Sequence, residues 1–192
     1  LDLGKWVFPN IALSPGSTSH DDELRQWAYR GIGERDLELD EVMKERIEYE
    51  LKVIRDKGYS PYFLVVGDLI RFAREKGILT NIRGSVAGSM VTFLIGITNV
   101  DPIKFNIPFE RFLNPFRPSA PDIDMDFADN RRAEMIQYAV DTYGADKVAQ
   151  IGTFGTMMAK GAVRDVARAL GYPYAKGDMI SNLIPLGAQG AP

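Results

Sequence analysis

At 192 residues and 45% hydrophobic content, the chain can bury a core as one large or two small domains. It has no cysteine and a net charge of −3. Disulfides and thiolate chemistry are therefore excluded, a cytoplasmic setting fits weakly, and nucleic-acid binding is left to local stripes of Lys and Arg. The one histidine, His20, sits in a Ser/Thr/Asp-rich segment; it reads as a solvated loop residue and argues against a histidine zinc site or a Ser-His-Asp triad. No apolar run approaches the roughly 18 residues of a membrane span, and the opening LDLGKWVFPN has no signal-peptide regions, so no membrane partner is expected. A start at Leu1 rather than Met suggests a piece of something longer.

Residues 1–20 read as an extended lead-in broken by Pro9, Pro15 and Gly16. A helix starts at Asp21 or Asp22, turns Leu24, Trp27 and Ala28 inward, and stops at Gly31 and Gly33. A longer amphipathic helix spans about 40–57, with Val42, Ile47, Leu51 and Ile54 on one face, and ends at Gly58. Ser60 and Pro61 form an N-cap and first-turn pair for a helix through Phe63, Leu64, Val65, Leu69 and Phe72, closed by Gly77. A short strand at 78–82 leads into Arg83-Gly84-Ser85, and 85–95 reads as a buried helix ended by Gly96. Pro102, Pro108, Pro115, Pro118 and Pro121 punctuate an irregular crossing. Beyond the acidic stretch at 121–127, Asp129 caps a helix through Met135, Ile136 and Val140 that ends at Gly144. A strand is expected at 148–151. Thr156 then caps a helix that packs Val163, Val166, Ala167 and Leu170 before Gly171 and Pro173. Interleaved helices and short strands, with no internal repeat, give a mixed α/β fold with a composition shift near residue 152.

The segment PDIDMDF (121–127) alternates acidic and apolar residues with the period of a strand. Asp122, Asp124 and Asp126 then share one face, and Ile123, Met125 and Phe127 the other. Carboxylates repeating at roughly 6.6 to 6.8 Å repel one another, and hard divalent ions such as Mg²⁺ take ligands of this kind. The alternation fixes geometry and not chemistry: a solvated strand edge that discourages aggregation has the same pattern. A calcium loop does not fit, because its sixth position is Phe127 where Gly is needed and its twelfth is Ala133 where Glu is needed.

In IRGSVAGS (82–89) a strand turns through glycine into a helix. Unpaired backbone N–H groups at such a start suit phosphate oxygens, Gly84 and Gly88 permit close approach, and Ser85 and Ser89 add hydroxyl donors. No Lys follows the second glycine and GxGxxG is absent, so a P-loop and a dinucleotide fingerprint are excluded; an ordinary packing junction remains the alternative. Arg83, Arg111 and Arg117 could bind phosphates bidentately or pair with surface carboxylates, Arg111 with Glu110 for example. Lys160, Arg164 and Arg168 recur every fourth residue as a basic stripe, fit either for a nucleic-acid backbone or for solvent, with Asp165 beside Arg164.

Together GYSPYFLVVGDLI, RGSVAGS, GITNVDP, FERFLNP, PDIDMDF and TFGTMMAKGAVRDVARALG resemble the catalytic alpha subunits of bacterial DNA polymerase III, the C-family replicative polymerases. The resemblance covers most of the chain from about Tyr59; Val86 stands where an alanine-like residue is expected. It implies a palm with a polymerase β-like nucleotidyltransferase core at 21–152 and the start of an incomplete helical thumb at 153–192. Asp122 and Asp124 would be the catalytic, metal-binding carboxylates, holding two Mg²⁺ ions with Mn²⁺ as a substitute. Arg83, Gly84, Ser85, Arg111 and Arg117 would bind the dNTP triphosphate, and Lys160 and Arg164 the primer–template DNA. Asp126 would support the site by pairing with Arg131 or Arg132.

The implied activity is template-directed DNA synthesis by a cytoplasmic, nucleoid-associated DNA-directed DNA polymerase. Its sliding-clamp and other replicase contacts, and a third catalytic carboxylate, would lie in regions beyond this chain, so the segment alone is expected to be inactive. A template-independent nucleotidyltransferase and a non-catalytic nucleic-acid-binding module are the alternatives.

Overall fold

Ser19 accepts a hydrogen bond from the Asp22 N–H at 3.1 Å and starts helix α1 (His20–Glu34). The computed structural model describes residues 7–9 and 11–185. Contrary to expectation, α1 runs through Gly31 and Gly33. A Cβ at Gly31 would lie 2.1 Å from the Leu94 carbonyl oxygen, so this glycine permits close packing of α1 on another segment and does not end the helix. His20 is also not a loop residue: it opens α1, with Nε2 buried and unpartnered among the described residues.

The lead-in is held to α1 through Glu23, whose carboxylate is buried. It accepts from Ser14 N–H at 2.9 Å, Ser14 Oγ at 2.6 Å and Trp27 Nε1 at 2.6 Å. Burial pushes this carboxyl up, but the hydrogen bonds it accepts, chiefly from Ser14, outweigh it and bring it down to about 2. A carboxyl lowered in the folded state stabilises the fold fully above its unfolded value, and that contribution is lost as pH falls toward about 2. The linkage is worth roughly 3 kcal/mol at neutral pH. Melting curves of the wild-type chain should therefore fall more steeply with acid than those of Glu23→Gln; parallel pH profiles would contradict this.

Helix α2 (Glu41–Asp56) is capped by Asp40, which accepts from Met43 N–H at 2.7 Å. Met43, Ile47, Leu51 and Ile54 form its buried stripe, while Val42 is 62% exposed. The five-residue step from Val42 to Ile47 turns about 140° around a helix, whereas the four-residue step from Met43 stays on one face. Helix α3 (Ser60–Glu75) carries Pro61 in its first turn, but Tyr59 occupies the cap position. Ser60 does not cap it; its hydroxyl donates to Asp21 at 2.6 Å.

The expected helix at 85–95 is two elements: a 3-10 turn (Ser85–Gly88) and a short buried helix α4 (Met90–Leu94). Ser89 divides them by accepting from Thr92 N–H at 3.2 Å. Helices α1, α2 and α4 pack on one another and α1 also on α3, around a core that includes Leu24, Ile47, Ile54, Phe63 and Met90. Phe109, Phe112 and Leu113 bind the proline-rich crossing to the same core.

Strands β1 (Thr80–Arg83) and β2 (Asp124–Phe127) pair antiparallel, with Arg83 opposite Asp124 and Asn81 opposite Asp126. The expected strand at 78–82 thus lies slightly later. Ile82 and Met125 turn toward the core, which leaves Asn81, Arg83, Asp124 and Asp126 on the exposed face. Helix α5 (Arg132–Tyr143) begins after a 3-10 turn (Asp129–Arg131), so Asp129 does not cap it directly. Tyr138 and Tyr143 of α5 both donate to the buried Asp68 of α3 at 2.8 Å, and Tyr138 stacks on Phe72 at 3.8 Å.

These elements belong to one unit, Leu1–Ala149; Gln150–Pro192 forms another. The expected strand at 148–151 is absent, and no regular structure occurs from 150 to 158. Helix α6 (Ala159–Ala169) therefore starts three residues after the expected cap Thr156. It packs on α7 (Tyr174–Leu183), an element not anticipated, with Gly177 admitting the approach: a Cβ there would lie 2.9 Å from the Ala167 Cβ. Val166 and Leu170 were expected to be packed but are 51% and 68% exposed, because α7 covers only part of the apolar stripe of α6.

Candidate nucleotidyl-transfer site

The two-residue period of PDIDMDF survives in the structure. Ile123 is buried, Met125 and Phe127 are partly buried, and Asp122, Asp124 and Asp126 are exposed. The antiparallel register carries β1 alongside β2 and delivers Arg83 and the following bend next to Asp124. Gly84 makes that bend at φ 94°, ψ −158°, a backbone conformation that a residue with a Cβ rarely adopts. Gly84 and Ser85 are exposed beside the acidic face.

The three carboxylates differ in their partners. Asp126 is gripped by Arg83, diagonally across the strands, through Nε at 2.6 Å and Nη2 at 3.0 Å. It does not pair with Arg131, which instead binds Glu134 one turn along its own segment, nor is any contact with Arg132 observed. Hydrogen bonding to Arg83 holds the Asp126 carboxyl below its ordinary value, and the same contact raises the Arg83 guanidinium. Asp122 and Asp124 have no hydrogen-bond or ion-pair partner among the described residues. Tyr62 of α3 feels both charges: burial pushes its phenol up, the Ile123 backbone opposes this, and the Asp122 and Asp124 charges push it up further.

A strut that the sequence did not reveal holds the glycine bend. Glu50 of α2 is completely buried and accepts from Ser89 Oγ at 2.7 Å, Met90 N–H at 2.9 Å and Val91 N–H at 3.0 Å. Arg46 donates to the same carboxylate at 2.6 Å, and through Nη2 to the carbonyls of Gly88 at 2.7 Å and Ile107 at 3.0 Å. A Cβ at Gly88 would meet the Pro108 carbonyl oxygen at 2.9 Å, so the bend and the crossing touch backbone to backbone. Arg46 thereby ties the bend to the segment that carries Arg111. The available signal was positional: Glu50 lies three residues after Ile47 and four before Ile54, on the apolar stripe of α2.

Arg111 and Arg117 are exposed, in and just after the 3-10 turn Phe109–Arg111. Arg111 does not pair with Glu110, which accepts from the Tyr49 hydroxyl at 2.7 Å. Lys57 donates to the Arg117 carbonyl at 2.6 Å and fixes the backbone there.

In the second unit Arg164 donates Nε at 3.0 Å and Nη2 at 2.8 Å to Asp178 of α7, and Arg168 pairs with Asp165 at 2.8 Å. The basic stripe on α6 is thus partly neutralised within its own unit, and Lys160 is the member without an ion-pair partner among the described residues.

Asp122 and Asp124 suit a hard divalent cation: both are exposed oxygen donors near one another in sequence, and no internal donor engages them. Among the described residues, no group of three or more His, Cys, Asp or Glu could hold a metal. A separate concavity of about 440 Å³, lined by Asp21, Arg25, Glu48, Lys52 and Arg55 among others, balances acids against bases and offers no comparable chemistry.

Residues 22–191 match the bacterial DNA polymerase III alpha NTPase domain. The chain is 48% identical over 186 residues to a DNA polymerase III subunit alpha of Bacillus subtilis, a match covering 96% of this chain and 17% of that protein. It is 45% identical over 188 residues to that of Aquifex aeolicus, covering 95% and 16%, and 54% identical over 142 residues to that of Deinococcus radiodurans, covering 73% and 11%. The chain spans about a sixth of the length of the first two relatives. No described helix is long and apolar enough to cross a membrane.

Proposed function

We propose that this chain, which belongs to the bacterial DNA polymerase III alpha family, carries part of the nucleotidyl-transfer site of a template-directed DNA polymerase. The palm extends to about residue 152, and 153–192 opens the thumb. The observation that carries this reading is the pair of exposed carboxylates beside the Gly84 bend, Asp122 and Asp124, which have no cationic partner among the described residues.

Asp122 and Asp124 would hold two Mg²⁺ ions, or Mn²⁺ in their place. Bound there, the ions would supply the positive charge that acidifies the primer 3′-hydroxyl and neutralises the triphosphate. The rest is positioning, which dominates phosphoryl transfer. The Gly84-Ser85 backbone and the Ser85 hydroxyl offer donors to phosphate oxygens, and Arg83, Arg111 and Arg117 offer guanidinium groups. Lys160 and the free donors of Arg164 would contact the primer–template backbone. The sliding clamp and other replicase subunits would bind the remainder of the polypeptide, in the bacterial cytoplasm at the nucleoid.

With only two acidic ligands here, the 192-residue chain should not extend a primer, while the full-length polypeptide should do so with the sequence of the product dictated by the template. Extension assays with matched, mismatched and absent templates test this. Template-independent addition by the full-length protein would favour a different nucleotidyltransferase, and extension by the short chain would remove the need for further ligands.

A further inference from the structure

Arg83 stands directly opposite Asp124 in the sheet register, yet its hydrogen bonds go to Asp126, the diagonal neighbour. A guanidinium has five N–H donors in a fixed plane. Asp126 occupies its Nε–Nη2 edge, leaving the second Nη2 hydrogen and both Nη1 hydrogens at the far end. Asn81, opposite Asp126, adds a longer contact of 3.4 Å from Nδ2 to the same carboxylate. The Arg83 and Asp126 side chains are 58% and 47% exposed. Exposed ion pairs of this kind contribute little to stability, so folding alone gives this pair little to do. Its geometry has two consequences at the site: the free end of the guanidinium is fixed, and Arg83 is kept from closing onto Asp124.

We propose that Asp126 is a positioning residue that grips one edge of Arg83, presents the other to the nucleotide phosphates, and leaves Asp124 free for metal, without itself being a metal ligand. This rests on the reading of Asp122, Asp124 and Arg83 given above and assigns the third acid of the strand a separate task.

The test uses the full-length polymerase, with dNTP and Mg²⁺ titrated separately in primer extension. Asp126→Ala should raise the KM for dNTP roughly tenfold or more, the size typical of groups that orient a directly binding residue. The Mg²⁺ requirement and melting temperature should be unchanged, and Asp126→Asn, which keeps one acceptor oxygen, should fall between. In an Arg83→Ala background the Asp126 substitution should cost almost nothing further, because the two residues act as one unit.

An Asp126→Ala enzyme with wild-type KM overturns the proposal, as does an increased Mg²⁺ requirement that persists without Arg83, which would make Asp126 a metal ligand. Equal losses in the presence and absence of Arg83 overturn it too. If Asp122→Asn and Asp124→Asn are inactive while Asp126→Ala is unaffected, only this proposal fails; if those two also polymerise normally, the site reading beneath it fails.

Discussion

Replacing Asp122 or Asp124 by Asn in the full-length polymerase should lower nucleotide incorporation by at least about 10³-fold, within the range for losing charge stabilisation at a phosphoryl-transfer centre. Asparagine keeps the size of the side chain and one acceptor oxygen but removes the negative charge that a hard cation needs. Both residues are exposed and make no internal hydrogen bond among the described residues, so the substitutions disturb no packing. Stability should stay within about 0.5 kcal/mol of wild type, as for surface substitutions in general. Primer–template affinity should also persist, since the residues proposed to contact DNA lie elsewhere in the chain. Incorporation rates and DNA binding measured on the same preparations separate the possibilities. Near-normal incorporation by either variant would remove these acids from the chemistry, and lost DNA binding would make the acidic strand part of a binding surface instead.

The largest expected stability effect lies beneath the glycine bend. Glu50→Ala removes a fully buried carboxylate that accepts from Ser89, Met90, Val91 and Arg46. The donors left behind include the partly exposed Arg46 guanidinium and the backbone N–H groups of the fully buried Met90 and Val91, which cannot reach water without opening the core. Breaking a buried pair in this way costs about 3–5 kcal/mol, which in a chain of this size lowers the melting temperature by about 10 °C. Glu50→Gln should lose less, because it keeps the volume and one acceptor, although its amide NH₂ then faces other donors. Calorimetry or denaturant unfolding of the three proteins measures the order. A Glu50→Ala protein melting within about 2 °C of wild type would mean that the bend is held by packing alone. Since Glu50 is tied to the segment that presents Gly84 and Ser85, Glu50→Gln in the full-length enzyme is also expected to weaken nucleotide binding.

Local pattern carried the parts of this fold whose cause is local. The period of PDIDMDF predicts one exposed acidic face and one core-facing apolar face, and the Gly84 turn predicts a break between strand and helix; both follow from backbone sterics within a few residues. The partner of Asp126 could not be read in the same way. Arg131 and Arg132 are near in sequence, but Arg83 is brought within reach by the β1–β2 register, which depends on the whole core. The burial of Glu50 follows from α4 packing on α2, a contact between segments distant in sequence. Gly31 resembled a helix stop because its real constraint, the Leu94 carbonyl, lies 63 residues further on. At 148–151 the apolar residues suggest a strand that has no partner among the described residues, and a strand without a ladder is not formed.

Anomalous diffraction from Mn²⁺ in crystals of the full-length protein with primer–template and a non-hydrolysable dNTP would locate the cations directly. The account predicts peaks within about 2.0–2.3 Å of carboxylate oxygens of Asp122 and Asp124, with the triphosphate against Gly84, Ser85 and the free end of Arg83. Metal bound at other acids, with Asp122 and Asp124 turned to solvent, would contradict it.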